Sequence, residues 1–256
     1  VYKRQLQSIS SGVDWLLTTQ FGYPGDSFGG IQIAIEDARL PTYRVSTGQE
    51  GDTIYGALRK VPLAPRSSKS LATRFRFAPQ LPGVRPMARR PGSQLLQGEL
   101  INPLPVDVLD GMLIYRNWVY LLPTRFPAAA RIGAVEDLRQ KNFRWQLSRQ
   151  KSLEENVTET EQWDPAMRDS ISRVAEMLMF HDAVGGARYT SLKNDPLSFL
   201  DLTGTLTEDR CMLVARVATP MTRLVTAAAA DDPFVPAGES LSLIRLLLPV
   251  EATGGP

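Results

Sequence analysis

The sequence predicts a mainly β chain, β-sandwich-like with a helical insertion, and therefore an α+β class overall. Two β-rich blocks, at residues 6–80 and 94–136, are separated by a proline-rich segment, and β-type sequence returns at 211–250. Between the last two blocks, residues 138–205 are polar and follow a helical period. This arrangement predicts a sheet with helices packed on its edge or face.

The first five residues, Val-Tyr-Lys-Arg-Gln, are encoded by GTG TAT AAG AGA CAG, the end of a transposase adapter used in sequencing libraries. We interpret residues 1–5 as an adapter artefact of a metagenomic reading frame and expect a longer parent chain. Without Lys3 and Arg4 the basic residues number 29 − 2 = 27, which equals the 27 acidic residues. The net charge of +2 then becomes zero and predicts no polyanion partner.

Residues 6–80 are predicted to form an N-terminal β domain. Its expected strands lie at 13–19, 31–36, 43–45 and 71–77, while residues 52–60 are compatible with a short helix. Prolines at 79, 82, 86 and 91 cannot continue a helix or donate to a sheet. They predict a linker at 81–93, rich in Pro, Gly and Arg.

Residues 94–256 are predicted to form a C-terminal β-sandwich that carries the helical insert 138–205. Asp110-Gly111 predicts a turn between strands at 106–109 and 112–115. Arg116-Asn117-Trp118 predicts a second, short hairpin turn before a strand at 119–122. Residues 211–217, 222–226 and 241–250 complete the predicted strands.

The clearest helix of the insert is expected to start at Asp164-Pro165 and to end at Gly185-Gly186. Aspartate favours the N-cap, proline the first helical position, and glycine the C-terminal cap. Four apolar residues fall at i, i+4, i+7 and i+11 and are predicted to be buried on a sheet, so that loss of the last should cost about 2–5 kcal/mol. They are Met167, Ile171, Val174 and Leu178.

The composition excludes several classes of site. One cysteine, Cys211, and one histidine, His181, exclude an intrachain disulfide framework and metal sites built on several cysteines or histidines. The sequence contains no dinucleotide fingerprint, phosphate loop or nucleophile elbow. It also has no apolar run that approaches 18 residues. We therefore predict no catalytic, cofactor-binding or metal residues and no cofactor.

The groups that can carry chemistry each have a structural alternative, which we favour. His181 precedes Asp182 and would serve either as a general base or as a cation at a helix C-terminus. Cys211 opens an apolar strand and is expected to be buried. An acidic cluster offers carboxylates for a glycosidase but is more typical of a solvated loop. It comprises Glu154, Glu155, Glu159, Glu161 and Asp164.

A basic stretch at residues 38–93 has eleven basic and two acidic side chains, a net charge of +9. Such a stretch is typical of a surface that faces anionic lipid or an anionic polymer, with nucleic acid less favoured. The interpretation that we favour is that the acidic segment 154–164, or another part of the parent chain, neutralises it. The residues of the predicted surface are Arg59, Lys60, Arg66, Lys69, Arg74, Arg76, Arg85, Arg89 and Arg90.

Two stretches carry a family resemblance. Leu-Gln-Gly-Glu-Leu-Ile-Asn-Pro-Leu-Pro at 96–105, continued by Leu-Asp-Gly-Met-Leu-Ile-Tyr-Arg-Asn-Trp-Val-Tyr-Leu-Leu at 109–122, resembles an uncharacterised extracytoplasmic β module of bacterial integral membrane proteins. Residues 201–203 and 210–216 are similar to the later part of that module, so the resemblance covers 94–250. It implies a cell-envelope location on the extracytoplasmic side of a membrane and no assigned activity.

The function expected from these observations is that of a non-catalytic scaffold or interaction part of a membrane-anchored bacterial protein. Its expected partners are other domains of its own longer parent chain, with anionic lipid or an envelope polymer as further partners. Two alternatives remain: a carboxylate-based carbohydrate-active hydrolase, and an anionic-polymer binder that uses residues 38–93. A cytoplasmic location is the alternative to the envelope.

Overall fold

The computed structural model describes residues 84–164, 170–193, 198, 200–217 and 242–251, together with the backbone of seven strands elsewhere. The chain divides into two compact units. Unit 1 comprises residues 1–81 and 220–240, and unit 2 comprises 82–219 and 241–256. The first boundary lies between Leu81 and Pro82, at the start of the predicted linker 81–93. The linker prediction does not hold for residues 87–89, which form a strand paired with the last strand of unit 2. The sequence-based division had placed 220–240 in the C-terminal domain, whereas these residues belong to unit 1.

The elements are numbered in chain order. The strands are β1 (Tyr2–Lys3), β2 (Leu16–Gly22), β3 (Arg44–Glu50), β4 (Thr53–Arg59), β5 (Ser70–Arg76), β6 (Met87–Arg89), β7 (Leu96–Gln97), β8 (Leu100–Ile101), β9 (Val108–Tyr115), β10 (Trp118–Leu121), β11 (Arg125–Phe126), β12 (Arg131–Ile132), β13 (Arg139–Asn142), β14 (Lys151–Glu154), β15 (Val157–Glu159), β16 (Arg210–Val217), β17 (Arg223–Val225), β18 (Pro233–Phe234) and β19 (Leu243–Glu251). The α-helices are α1 (Phe143–Leu147), α2 (Ile171–Met179), α3 (His181–Val184) and α4 (Ala187–Thr190). Short 3-10 turns lie at Val135–Asp137 and Thr203–Thr205.

Unit 1 contains a five-stranded sheet of order β18-β17-β1-β4-β3 and a separate antiparallel pair, β2 and β5. Strands predicted at 13–19, 43–45 and 71–77 are confirmed with shifted bounds, as β2, β3 and β5. The short helix considered for 52–60 is wrong, because β4 pairs with β3 along its whole length. Tyr2–Lys3, assigned to an adapter by the sequence, pairs with both β4 and β17. The strand predicted at 31–36 lies outside the described residues.

Unit 2 is built on an eight-stranded sheet of order β13-β10-β9-β16-β19-β6-β7, with β11 paired to β9. Its pairs are antiparallel except for β19 and β6, which run parallel. The central strands β9 and β16 hold continuous buried runs, 112–115 and 211–215, so both faces of the sheet are covered there. The mainly β, α+β fold class is therefore confirmed.

The turn predicted at Asp110-Gly111 is wrong, because β9 continues through it. Asp110 has φ 47 in the left-handed region, and the pairing of β9 with β16 shifts register between Val214 and Arg216. An Asp-Gly pair supplies the same unusual backbone freedom to a bulge as to a hairpin turn. The hairpin turn predicted at 116–118 is confirmed: Tyr115 lies opposite Trp118, and Arg116 has φ 53.

The single helix predicted from Asp164 to Gly185 is wrong, although its end is confirmed. Ser170 caps α2, since its hydroxyl accepts a hydrogen bond from the Arg173 N–H at 3.3 Å. Phe180, at φ −139 and ψ 39, separates α2 from α3, and Gly185 ends α3 at φ 121. At this interruption the Phe180 side chain is buried in the core cluster between the helices and the sheet.

The predicted apolar stripe is displaced by one residue. Val174 and Leu178 are only half-buried, and the side chains of Met167 and Ile171 lie outside the described residues. On α2 the buried side chains are Arg173, Met177 and Met179. Arg173 and Met177 each precede a residue of the predicted stripe by one position, a rotation of about 100° on an α-helix. After the interruption, Phe180 and Val184 are buried as well.

The helices and the sheet share one hydrophobic core. Met112, Ile114 and Val119 from β9 and β10 pack with Met212 and Val214 from β16. The same cluster contains buried side chains from the helical region, so the insert covers one face of the sheet. These side chains are Phe143, Leu147, Met177, Met179, Phe180, Val184 and Leu202. No helix in the described ranges is long and apolar enough to cross a membrane.

Candidate functional site

In the described part of the chain, His181, Asp182 and Asp201 bring three potential metal-ligating side chains together. One ligand-type atom from each lies within 4.8 Å of the other two. His181 and Asp182 are the first residues of α3, and Asp201 precedes the 3-10 turn at Thr203–Thr205. The sequence predicted no metal residues. It did not reveal the tertiary contact that brings Asp201 to the start of α3.

The ring of His181 is 12% exposed and is held on both sides. Its Nε2 lies 3.1 Å from the Thr190 Oγ1 and 3.3 Å from the Leu192 carbonyl oxygen. Its Nδ1 lies 3.5 Å from the Asp182 Oδ1. These contacts orient the ring, but within the described residues no serine or cysteine hydrogen-bonds to it, so it activates no such nucleophile there.

The Asp201 carboxylate stabilises the start of α3. Its Oδ2 accepts a hydrogen bond from the Asp182 N–H at 2.9 Å, and its Oδ1 accepts one from the Thr203 N–H at 2.8 Å. The Thr203 hydroxyl oxygen accepts from the Ala183 N–H at 3.2 Å. Two N–H groups that a short helix leaves without an internal partner are thereby satisfied.

Cys211 lies at the second position of β16, buried as the sequence predicts. Burial raises the pKa of its thiol to about 12. The group is therefore a protonated thiol at neutral pH, which is neither a nucleophile nor a ready metal ligand.

We expect Cys211 in the native protein to resist a thiol reagent such as dithionitrobenzoate at neutral pH. The reagent requires thiolate and access, and the fold withholds both. Absorbance should show one reactive thiol per chain only after denaturant is added. Reaction of the native protein at the rate of free cysteine would contradict the buried position.

The acidic cluster of the sequence divides between two places. Glu154, Glu155 and Glu159 are exposed on the hairpin of β14 and β15. Glu161 lies outside the hairpin and forms an ion pair with Arg149, in which the Arg149 Nη1 lies 3.1 Å from the Glu161 Oε2. Asp164 is exposed and has partners of its own. The hairpin carboxylates face solvent rather than the cleft that a glycosidase needs.

The predicted basic surface is distributed over both units. Arg59 ends β4, and Arg74 and Arg76 are residues of β5. In unit 2, Arg85 and Arg90 are exposed and Arg89 is half-buried at β6. The remaining members, Lys60, Arg66 and Lys69, lie outside the described residues. A single continuous basic surface formed by these residues therefore stays a prediction.

A buried polar network around Arg173 was not predicted. The Arg173 guanidinium donates to the Leu147 carbonyl oxygen and to the Tyr189 hydroxyl, the latter at 3.2 Å. It also lies 5.9 Å from the centre of the Trp163 ring, and its Nη1 is 4.0 Å from the Glu176 carboxylate. The sequence placed the buried face of this helix on Val174 and Leu178, so Arg173 gave no signal of its own burial.

Comparison with known proteins assigns no role to these residues. No family model, no curated protein and no solved structure matches the chain. The grounds for a function are the described residues and the resemblance at 94–250.

Proposed function

We propose that this chain is a non-catalytic β module that acts through protein contacts, with the hairpin of β14 and β15 as its contact element. The observation that carries the proposal is the exposure of this hairpin: every residue from 151 to 160 is exposed. Among the strands that the structure describes, these two pair only with each other. A lone two-stranded hairpin is marginally stable in water, so a partner surface would stabilise it.

The hairpin also exposes apolar side chains. Leu153 is 59% exposed and Val157 is 46% exposed. Leu153 lies at a register shift, because the pairing changes between Ser152 and Glu154. Exposed apolar residues on a protruding strand pair, whose outer edges retain free backbone groups, are suited to contact another chain.

The hairpin is acidic, which favours a partner with a basic surface. Glu154, Glu155 and Glu159 outweigh Lys151, while residues 38–93 carry a net charge of +9. We therefore assign the partner as a second copy of this chain, whose basic stretch meets the acidic hairpin. The resemblance at 94–250 supports placing this contact on the extracytoplasmic side of a bacterial membrane. The hydrolase alternative is less supported, since three of its five candidate carboxylates lie on this exposed hairpin and Glu161 is paired with Arg149.

The test is sedimentation velocity of the full chain over a range of micromolar concentrations, at low and at moderate salt. We expect concentration-dependent association that salt weakens. Replacement of Leu153 by serine should raise the dissociation constant about tenfold or more, corresponding to about 1.4 kcal/mol. The matched control is Leu192→Ser, a leucine of similar exposure, 46%, away from the hairpin.

A wild-type chain that stays monomeric at every concentration would overturn the second copy as partner. Equal weakening by Leu153→Ser and Leu192→Ser would remove the hairpin from the interface. Salt-sensitive binding of a polyanion such as heparin by a monomeric chain would favour the anionic-polymer alternative instead.

A further inference from the structure

We propose that His181, Asp182 and Asp201 bind one divalent cation, of the class that accepts imidazole nitrogen and carboxylate oxygen together, with Zn²⁺ as the representative ion. Three such ligands leave further coordination positions to water. The assignment is independent of the hairpin and of self-association.

The tautomer of His181 is the first argument. The Leu192 carbonyl oxygen, 3.3 Å from Nε2, can only accept a hydrogen bond. The Thr190 hydroxyl donates to the Gly186 carbonyl oxygen at 3.1 Å, so its oxygen is also an acceptor towards Nε2. The Thr190 hydroxyl also lies 3.3 Å from the Leu192 carbonyl oxygen, so both carbonyl oxygens compete with Nε2 for its proton. These acceptors favour the tautomer with the proton on Nε2, in which Nδ1 presents a lone pair. Fixing the distal nitrogen in this way is the usual support for a metal-binding histidine.

The neighbour of that lone pair is the second argument. Nδ1 faces the Asp182 Oδ1 at 3.5 Å, so two acceptors approach each other without a donor between them in the neutral ring. A cation between or beside them turns this repulsion into two favourable contacts. The Asp182 carboxylate is 77% exposed, which gives an ion access from solvent.

Asp201 supplies a fixed third ligand. Each of its carboxylate oxygens accepts one backbone hydrogen bond, at 2.9 and 2.8 Å, and each retains a second lone pair. The carboxylate is therefore oriented before an ion arrives. Ligands held in this way lose less freedom on binding than mobile surface carboxylates do.

Gly186 keeps space open beside the ligands. Its φ is +60, and an added Cβ would lie 3.9 Å from both the His181 Nδ1 and the Asp182 Oδ1. A side chain longer than a methyl group at this position would extend from a Cβ already in contact with the two ligand atoms.

The test is equilibrium dialysis of the full chain against Zn²⁺ at neutral pH, with the thermal midpoint followed in parallel. We expect one ion per chain and a midpoint that rises with Zn²⁺ and returns on chelation, because the ion binds the folded state. Asp182→Asn should raise the dissociation constant at least tenfold. His181→Gln should do the same, and Asp137→Asn, an exposed carboxylate outside both the hairpin and this group, is the matched control.

Asp182→Asn is the decisive variant, because its exposed side chain makes no contact in the described part of the chain that folding requires. Unchanged Zn²⁺ affinity in a folded Asp182→Asn protein would overturn the proposal. Equal losses in Asp182→Asn and Asp137→Asn, or no binding of Zn²⁺ by the wild type, would also overturn it. The group would then be an imidazolium–aspartate pair and a helix cap.

Discussion

Replacement of Phe180 by alanine is expected to lower the free energy of unfolding by about 3–5 kcal/mol. The Phe180 side chain is fully buried, and its ring meets that of Phe143 edge to face, with centroids 5.0 Å apart. Alanine would lose this contact and leave a cavity between the helices and the sheet. Urea unfolding monitored by tryptophan fluorescence measures the change.

Leu178→Ala is the matched comparison. The sequence predicted Leu178 to be buried, with a cost of about 2–5 kcal/mol for its loss. The structure leaves it half-buried, so we now expect a clearly smaller cost than for Phe180→Ala. If the two variants were equally destabilised, the displacement of the buried face by one residue would be wrong.

Replacement of Arg173 by methionine is expected to lower the free energy of unfolding by about 3–5 kcal/mol at neutral pH. The Arg173 side chain is 7% exposed, and methionine retains much of its length while removing the charge and the donors. The Leu147 carbonyl oxygen would lose the guanidinium donor, and the Glu176 carboxylate would lose its nearby cation.

This loss should depend on pH. Burial raises the pKa of Glu176, and Arg173 opposes the rise, so removal of Arg173 raises that pKa further. A carboxyl whose pKa is higher in the folded state destabilises the fold as pH rises from its unfolded value through its folded value. The deficit of Arg173→Met should therefore be smaller in acid than at neutral pH. Adding Glu176→Gln should remove this dependence, and a deficit that is constant with pH would contradict the coupling.

Elements governed by local backbone chemistry could be predicted from the sequence. The short loop before Trp118, the strand around Cys211 and the helix end at Gly185 all depend on residues adjacent to them. Their hydrophobic runs and turn residues act over a few positions, so one stretch of chain contains the whole signal. The mainly β class follows from the same local patterns.

Local patterns failed where two solutions share one composition. Asp110-Gly111 suits a turn and a bulge equally, and the choice is made by β16, which pairs on both sides of it. Likewise, residues 53–59 became a strand because β3 lies alongside them. In both cases a partner strand supplies the hydrogen bonds that the local sequence leaves undecided.

The cation group proposed here was decided by tertiary structure alone. His181 and Asp182 are adjacent in sequence, but Asp201 reaches them only because its carboxylate caps α3 from a separate turn. The face of α2 was settled in the same way, since packing against Phe143 and Leu147 selected Arg173 and Met177 over Val174 and Leu178. The sequence by itself determined which segments become strands or helices, because that choice is made within a few residues. Which side chains then meet was decided by burial against distant segments, a free-energy term that is absent until those segments pack.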